Sequence, residues 1–229
     1  MKILTLSDEE CPALWDYYVP GRLADYQLIL SCGDLKASYL SFLVTMARCP
    51  VLYVHGNHDV HYSTNPPEGC DCIDDRVVVY NGVRILGLGG CRKYHPGPHQ
   101  YTDREMRRRI RRLSCQIRKL GGIDIVVSHA PAEGLGDSED VAHWGFPALR
   151  EMLDKYHPAY HVHGHVHMTY GSNGTRVREY NGTTIINAYE RYVLEIPDRE
   201  VPEKKRDQLI WASKPFSFPQ TDSFSYPFR

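Results

Sequence analysis

The chain lacks an excess of charge of either sign: 27 Lys and Arg stand against 28 Asp and Glu, a formal net charge of −1. That excludes the strongly basic profile of a dedicated DNA-binding protein. It lacks a long hydrophobic run. The longest mostly apolar stretch, Tyr39 to Ala47, is about half of what a membrane span needs, so no membrane partner is expected. It lacks the bias of a disordered chain, since hydrophobic residues make up 42% and charged residues 24%. Internal repeats and low-complexity blocks are absent too. The opening Met1-Lys2-Ile3-Leu4-Thr5-Leu6 is closed after a few residues by Asp8, Glu9 and Glu10, which does not read as an export signal. Without one, an odd count of seven cysteines fits reduced thiols in the cytoplasm better than a disulfide framework. Cys70-Asp71-Cys72 is a close pair, and a lone C-x-C is a weak metal signal.

What is present is a recurring unit: a short apolar run followed by a polar loop. A chain of 229 residues suits one large domain and buries roughly 70% of its unfolded surface. Strands are expected at Lys2–Leu6, Gln27–Ser31, Val51–Val54, Ile123–Val127 and Tyr160–Val162, all near-continuous aliphatic runs suited to sheets covered on both faces. Helices are expected at Ala37–Arg48, Thr102–Leu120 and Pro147–Lys155. Asn81-Gly82, between strand-like runs at Arg76–Tyr80 and Val83–Leu88, and Asn181-Gly182, between Arg176–Tyr180 and Thr183–Asn187, read as tight hairpin turns. The result is an α/β architecture with mixed sheets. Residues 1–196 read as the folded domain. Residues 197–229 read as an extension packed on the core or at an interface. Its ring-rich tail, with Phe216, Phe218, Phe224, Tyr226 and Phe228, suits an apolar patch or a homo-oligomer contact.

Each of the five polar loops follows the C-terminal end of an expected strand, and in open α/β sheets those ends share an edge where ligands bind. Together they supply Asp8, Glu10, Asp34, Asn57, His58, His129, His165 and His167. Clustered carboxylates repel one another, and cations resolve the repulsion. Mixed His/Asp/Asn donors suit manganese, iron or zinc better than magnesium or calcium. Extended alternation would turn Asp8 and Glu10 to one side, and His165 and His167 likewise. It turns His55 and His163 away, and these are read as structural. Gly33, Gly56 and Gly164 stand beside the candidates, where backbone must turn or approach closely.

At these residues the sequence resembles the calcineurin-like metallophosphoesterases. Their pattern runs D-x-H, G-D, G-N-H-[DE], a lone His and G-H-x-H. This chain reads Asp8-Glu9-Glu10, Gly33-Asp34, Gly56-Asn57-His58-Asp59, His129 and Gly164-His165-Val166-His167. The resemblance implies a β-sandwich of two mixed sheets flanked by helices, an α/β/β/α arrangement. It implies two divalent or transition metal ions, manganese or iron first, with zinc and nickel as alternatives. Asp8 and His167 would bind the first, Asn57, His129 and His165 the second, and Asp34 would bridge them. His58 would contact the phosphoryl group and protonate the leaving oxygen, with Asp59 orienting it. The implied reaction is hydrolysis of a small-molecule phosphate mono- or diester by a metal-bridging hydroxide.

The departure is Glu10, where most of the family has histidine. As a ligand to the first ion it would lower the charge of the centre and shift preference toward manganese or iron over zinc; the alternative is a first site that is weak or empty. Arg92, after Gly89-Gly90, and His143, in the loop after His129, are candidate substrate contacts. In the segment 102–120, Met106, Ile110, Leu113, Ile117 and Leu120 form an apolar stripe, and the remainder is rich in arginine. That basic face reads first as solvated surface and second as a nucleic-acid patch, which would make the chain a nuclease. The other rival is a catalytically weak member of the fold that serves as a binding scaffold.

Overall fold

The structure, a computed structural model, describes residues 1–168 and 175–212. The aromatic tail lies outside the described residues. The strands are β1 (Lys2–Leu6), β2 (Leu28–Ser31), β3 (Val51–Tyr53), β4 (Asp71–Cys72), β5 (Arg76–Tyr80), β6 (Val83–Leu88), β7 (Cys91–Arg92), β8 (Gln100–Tyr101), β9 (Ile125–Ser128), β10 (Tyr160–His163), β11 (Val177–Tyr180), β12 (Thr183–Asn187), β13 (Tyr192–Glu195) and β14 (Leu209–Trp211). The α-helices are α1 (Ala37–Met46), α2 (Asp103–Lys119) and α3 (Pro147–Tyr156).

Two large mixed sheets carry the fold. One has the order β13-β1-β2-β3-β4, the other β11-β12-β10-β9-β6-β5-β14. Strand alternation sorts the side chains into layers. Ile3, Leu28, Leu30, Leu52, Val78, Ile85, Ile125 and Val127 point between the sheets. Their neighbours Leu4, Leu6, Ile29 and Val51 point outward under α1. Val77, Leu86, Leu88 and Val126 point outward under α2 and α3. Each central strand is therefore apolar on both faces, which is why its sequence is a continuous aliphatic run. The layering is α/β/β/α, as the resemblance implied.

Both expected Asn-Gly turns form with positive φ at both residues: 46° and 76° at Asn81-Gly82, 47° and 81° at Asn181-Gly182. That conformation matches the right-handed twist of the flanking strands. α2 starts with a capping box, in which Thr102 and Glu105 satisfy each other's backbone N–H groups. Its stripe of Met106, Ile110, Leu113 and Ile117 is buried.

One expectation needs correction. Arg109 is not part of the solvated basic face. It is buried, with Nε 2.7 Å from Asp75 Oδ1, Nη1 2.8 Å from the Gly89 carbonyl, and the guanidinium over the Tyr101 ring. After residue 197, β14 lies against the core and pairs antiparallel with β5. Arg199 also reaches Asp124, where Arg84 binds the same carboxylate.

Arg109→Met would leave Asp74 and Asp75 facing an apolar side chain. Asp75 is half exposed, so water offsets part of the lost charge. The expected loss is about 1–2 kcal/mol in urea unfolding, with the fold retained by circular dichroism.

Candidate metal centre

The five loops meet at one end of the sandwich. Asp8 follows β1, Asp34 follows β2 and Asn57-His58 follow β3, all parallel strands of the first sheet. His129 follows β9, and His165 and His167 follow β10, parallel neighbours in the second sheet. The ends are clasped by backbone bonds. Asp8 N–H donates to the Gly33 carbonyl at 3.1 Å, and Gly164 N–H to the His129 carbonyl at 2.9 Å.

Local alternation does not survive into these loops. Asp8, Asp34 and His165 have φ of 66°, 57° and 68°, the left-handed region that a side chain rarely adopts. The expectation that Asp8 pairs with Glu10, and His165 with His167, through extended backbone is therefore overturned at its premise. The glycines split into two kinds. Gly33 has φ 96° and needs its freedom. Gly56 and Gly164 are there for space: a Cβ at Gly56 would sit 1.9 Å from Asp34 Oδ1, and one at Gly164 1.8 Å from Ser7 Oγ.

His129 is the pivot of the cluster. Its Nδ1 lies 2.8 Å from the Cys32 carbonyl of the first sheet, so Nδ1 carries the hydrogen. Its Nε2 then faces two oxygens, Asn57 Oδ1 at 2.9 Å and Asp34 Oδ2 at 3.3 Å. Three such groups would suit a cation placed between them. In the ion-free protein a proton fills that place. Burial alone would push the His129 imidazole down, but the Asp34 carboxylate outweighs it and draws the pKa up to about 9. Asp34 is raised by burial and pulled the other way by His129, settling at about 2. His165 donates from Nε2 to the Ala142 carbonyl at 2.7 Å, which leaves Nδ1 for the cluster. Burial, then the charge on His129, pushes it to about 3, so the imidazole stays neutral. Donor atoms of Asp34, His129 and His165 lie within 4.8 Å of one another. A hard carboxylate, an amide oxygen and two imidazoles fit a divalent transition ion.

The remaining candidates take different positions. Asp8 is buried and accepts His165 N–H on both oxygens, at 3.1 and 2.9 Å. Burial raises its carboxyl pKa, and His129 and Asp34 act on it in opposite directions. His167 Nε2 lies 3.9 Å from Asp8 Oδ1, with its ring against Tyr189. Glu10 is at Lys36, where its carboxylate accepts the backbone N–H at 3.1 Å and the ammonium at 3.3 Å. Asp59 Oδ2 accepts Asp34 N–H and Gly56 N–H at 2.9 and 2.7 Å, tying two ligand loops together. Burial, reinforced by Asp34, raises its pKa to about 6. His58 is exposed, and its N–H donates to Asp34 Oδ1 at 2.8 Å.

Beside the cluster opens a cavity of about 430 Å³, walled by Asp8, Asp34, Asn57, His58, Tyr94, His143, His165 and His167. His143 reaches it, held by Asp140 and packed on His165 at 5.0 Å. Arg92 does not line it. Its guanidinium sits over Trp144 at 5.0 Å and reaches the Gly145 carbonyl at 3.5 Å. Tyr94, two residues on in the same segment, walls it instead. Its signal was its place in the loop after Gly89-Gly90. His55 is structural, as expected: Nδ1 is 2.6 Å from Asp74 Oδ2, and this carboxylate outweighs burial to raise its pKa to about 10. Cys72 Sγ stands 3.8 Å from the same nitrogen. The donor atoms of His55, Cys72 and Asp74 form a second group within 4.8 Å of one another.

Two outcomes follow from this geometry. Gly56→Ala drives a methyl into Asp34, and titration calorimetry should show Mn²⁺ affinity reduced by about 10–100-fold. In the ion-free protein the raised pKa of His129 stabilises the fold fully below pH 6.5, and that contribution is lost as pH rises through about 9. The thermal midpoint should therefore fall across this window, and fall less when Mn²⁺ replaces the proton.

Other proteins resemble this chain. UPF0046 protein K07C11.7 of Caenorhabditis elegans is 26% identical over 220 residues, 82% of this chain and 69% of the worm protein. Among solved structures, TT1561 of Thermus thermophilus superposes with a TM-score of 0.54 at 12% identity, covering 82% of this chain and 89% of its own. Another superposes with a TM-score of 0.61 at 13% identity, covering 84% and 94%. These two likenesses speak for the fold. The calcineurin-like phosphoesterase pattern itself matches residues 11–169, a span that holds four of the five ligand loops. With that match and this sandwich, the chain belongs to the calcineurin-like phosphoesterase family.

Proposed function

We propose that the chain is a metal-dependent hydrolase of small phosphate esters. The observation that carries this reading is the meeting of Asp34, Asn57, His129 and His165, drawn from both sheets, around one point beside a cavity. These four would hold one ion, and Asp8 and His167, sharing Asp34, a second. Manganese or iron suits the mixed oxygen and nitrogen donors. Bound there, such ions supply Lewis-acid stabilisation of phosphoryl charge and a nucleophile at neutral pH.

The chain's own residues do the rest. His58 walls this cavity and also an adjoining one of about 400 Å³, which Glu10, Lys36, His61 and Asn65 help to line. An ester seated at the centre can thus have its phosphoryl group on one side of His58 and its leaving group on the other. The imidazole is exposed and free to give a proton to the departing oxygen. Asp34 fixes the backbone beneath it, and Asp59 fixes Asp34. His143 and Tyr94 face the phosphoryl side and orient the ester. Arg92 acts at one remove, bracing the Trp144–Gly145 turn next to His143.

With Mn²⁺-loaded protein, His58→Ala should lower kcat by about 10²–10³-fold on esters with alkoxide leaving groups. Nitrophenolate leaves without a proton, so nitrophenyl esters should suffer far less. Equal losses on both would remove His58 as the acid. No turnover of any mono- or diester by the loaded wild type would favour the scaffold reading.

A further inference from the structure

The two halves of the centre are not equally built. The half formed by Asp34, Asn57, His129 and His165 has its donor atoms gathered. Among the described residues, Asp8, Glu10 and His167 form no comparable group. The difference traces to Glu10. Its carboxylate turns to Lys36, the N-cap of α1. Lys36 has no side-chain cap of its own, and the first N–H groups of a helix need acceptors. Glu10 answers that need from a distant loop, and its negative charge faces the positive end of the helix dipole. The Lys36 ammonium is 72% exposed and adds little, so the backbone bond and the helix end do most of the holding. A histidine at position 10 carries no negative charge to be drawn there.

Resting on the metal-dependent reading above, we infer that Glu10 caps α1 instead of ligating an ion, and that the centre is unequal. One ion is held tightly by Asp34, Asn57, His129 and His165. A second is held weakly by Asp8 and His167 with a share of Asp34. The chain has exchanged a ligand for a helix cap, and the second ion arrives only at high metal concentration or with the substrate's own phosphoryl oxygens as added ligands.

The test is metal content of the full chain after desalting, by plasma mass spectrometry, with Mn²⁺ titration calorimetry on the same samples. The wild type should retain one ion per chain and take up a second with an affinity at least about tenfold weaker, a gap of ~1.4 kcal/mol. Glu10→Gln keeps the shape and should leave ion content unchanged. Glu10→His should tighten the second ion by about tenfold or more, as restoring a ligand does. His129→Ala should lose the tight ion. Two equally tight ions in the wild type, or loss of an ion in Glu10→Gln, overturns the inference and leaves the proposed function standing. A wild type that binds no Mn²⁺ at all, matching His129→Ala, overturns the proposed function and the inference with it.

Discussion

The end of this sandwich is held shut by side chains that are also the candidate ion ligands. His129 leaves the second sheet and lands on a carbonyl of the first. Asp8 leaves the first sheet and receives the backbone of the second at His165. Two sheets packed only through aliphatic side chains are free to splay at their ends. Here polar groups cross the gap, and they do so at the mouth of the cavity. The candidate ion site and the clasp between the sheets thus share the same side chains, and anything that binds only the folded form stabilises the whole chain.

This coupling explains why the site tolerates backbone strain. Asp8, Asp34 and His165 each sit in a left-handed conformation that costs about 1–3 kcal/mol. The core beneath them, with Ile3, Leu30, Leu52, Val127 and Val162 almost wholly buried, is dense enough to absorb that cost. The sharp turns throw the ligands inward from strands whose own side chains point up and down. Regular strands make the platform and irregular residues at their tips make the chemistry.

That division sets what the sequence disclosed. The platform was legible, because buried strands write themselves as aliphatic runs: β1, β5 and β6 fall on their expected residues, and α3 begins at the expected proline. The ligand set was legible as a pattern of residue types in order. What could not be read was direction. Alternation fails where φ turns positive, so it misjudged how Asp8 and His165 are presented. Glu10 has a competing partner, a helix end remote in sequence. Arg92 has another in Trp144, while Tyr94, two residues along, takes the wall. Arg109 looked like one more surface arginine until Asp74, Asp75 and Gly89 drew it inside. The short strands β13 and β14 escape the pattern because charged residues surround them and they bury almost nothing, one residue in β13 and none in β14.

β14 carries a consequence of its own. It lies along β5, the run Arg76-Val77-Val78-Val79-Tyr80, in antiparallel register from Leu209 opposite Tyr80 to Trp211 opposite Val78. Without it, β5 would be the bare rim of the seven-stranded sheet, with unpaired amides along a valine-rich strand, the kind of template on which chains polymerise. Three residues near the far end of the chain thus act as a guard rail. Clipping the polypeptide ahead of Leu209 would spare every ligand of the centre and still endanger the protein, through insolubility and not through lost chemistry.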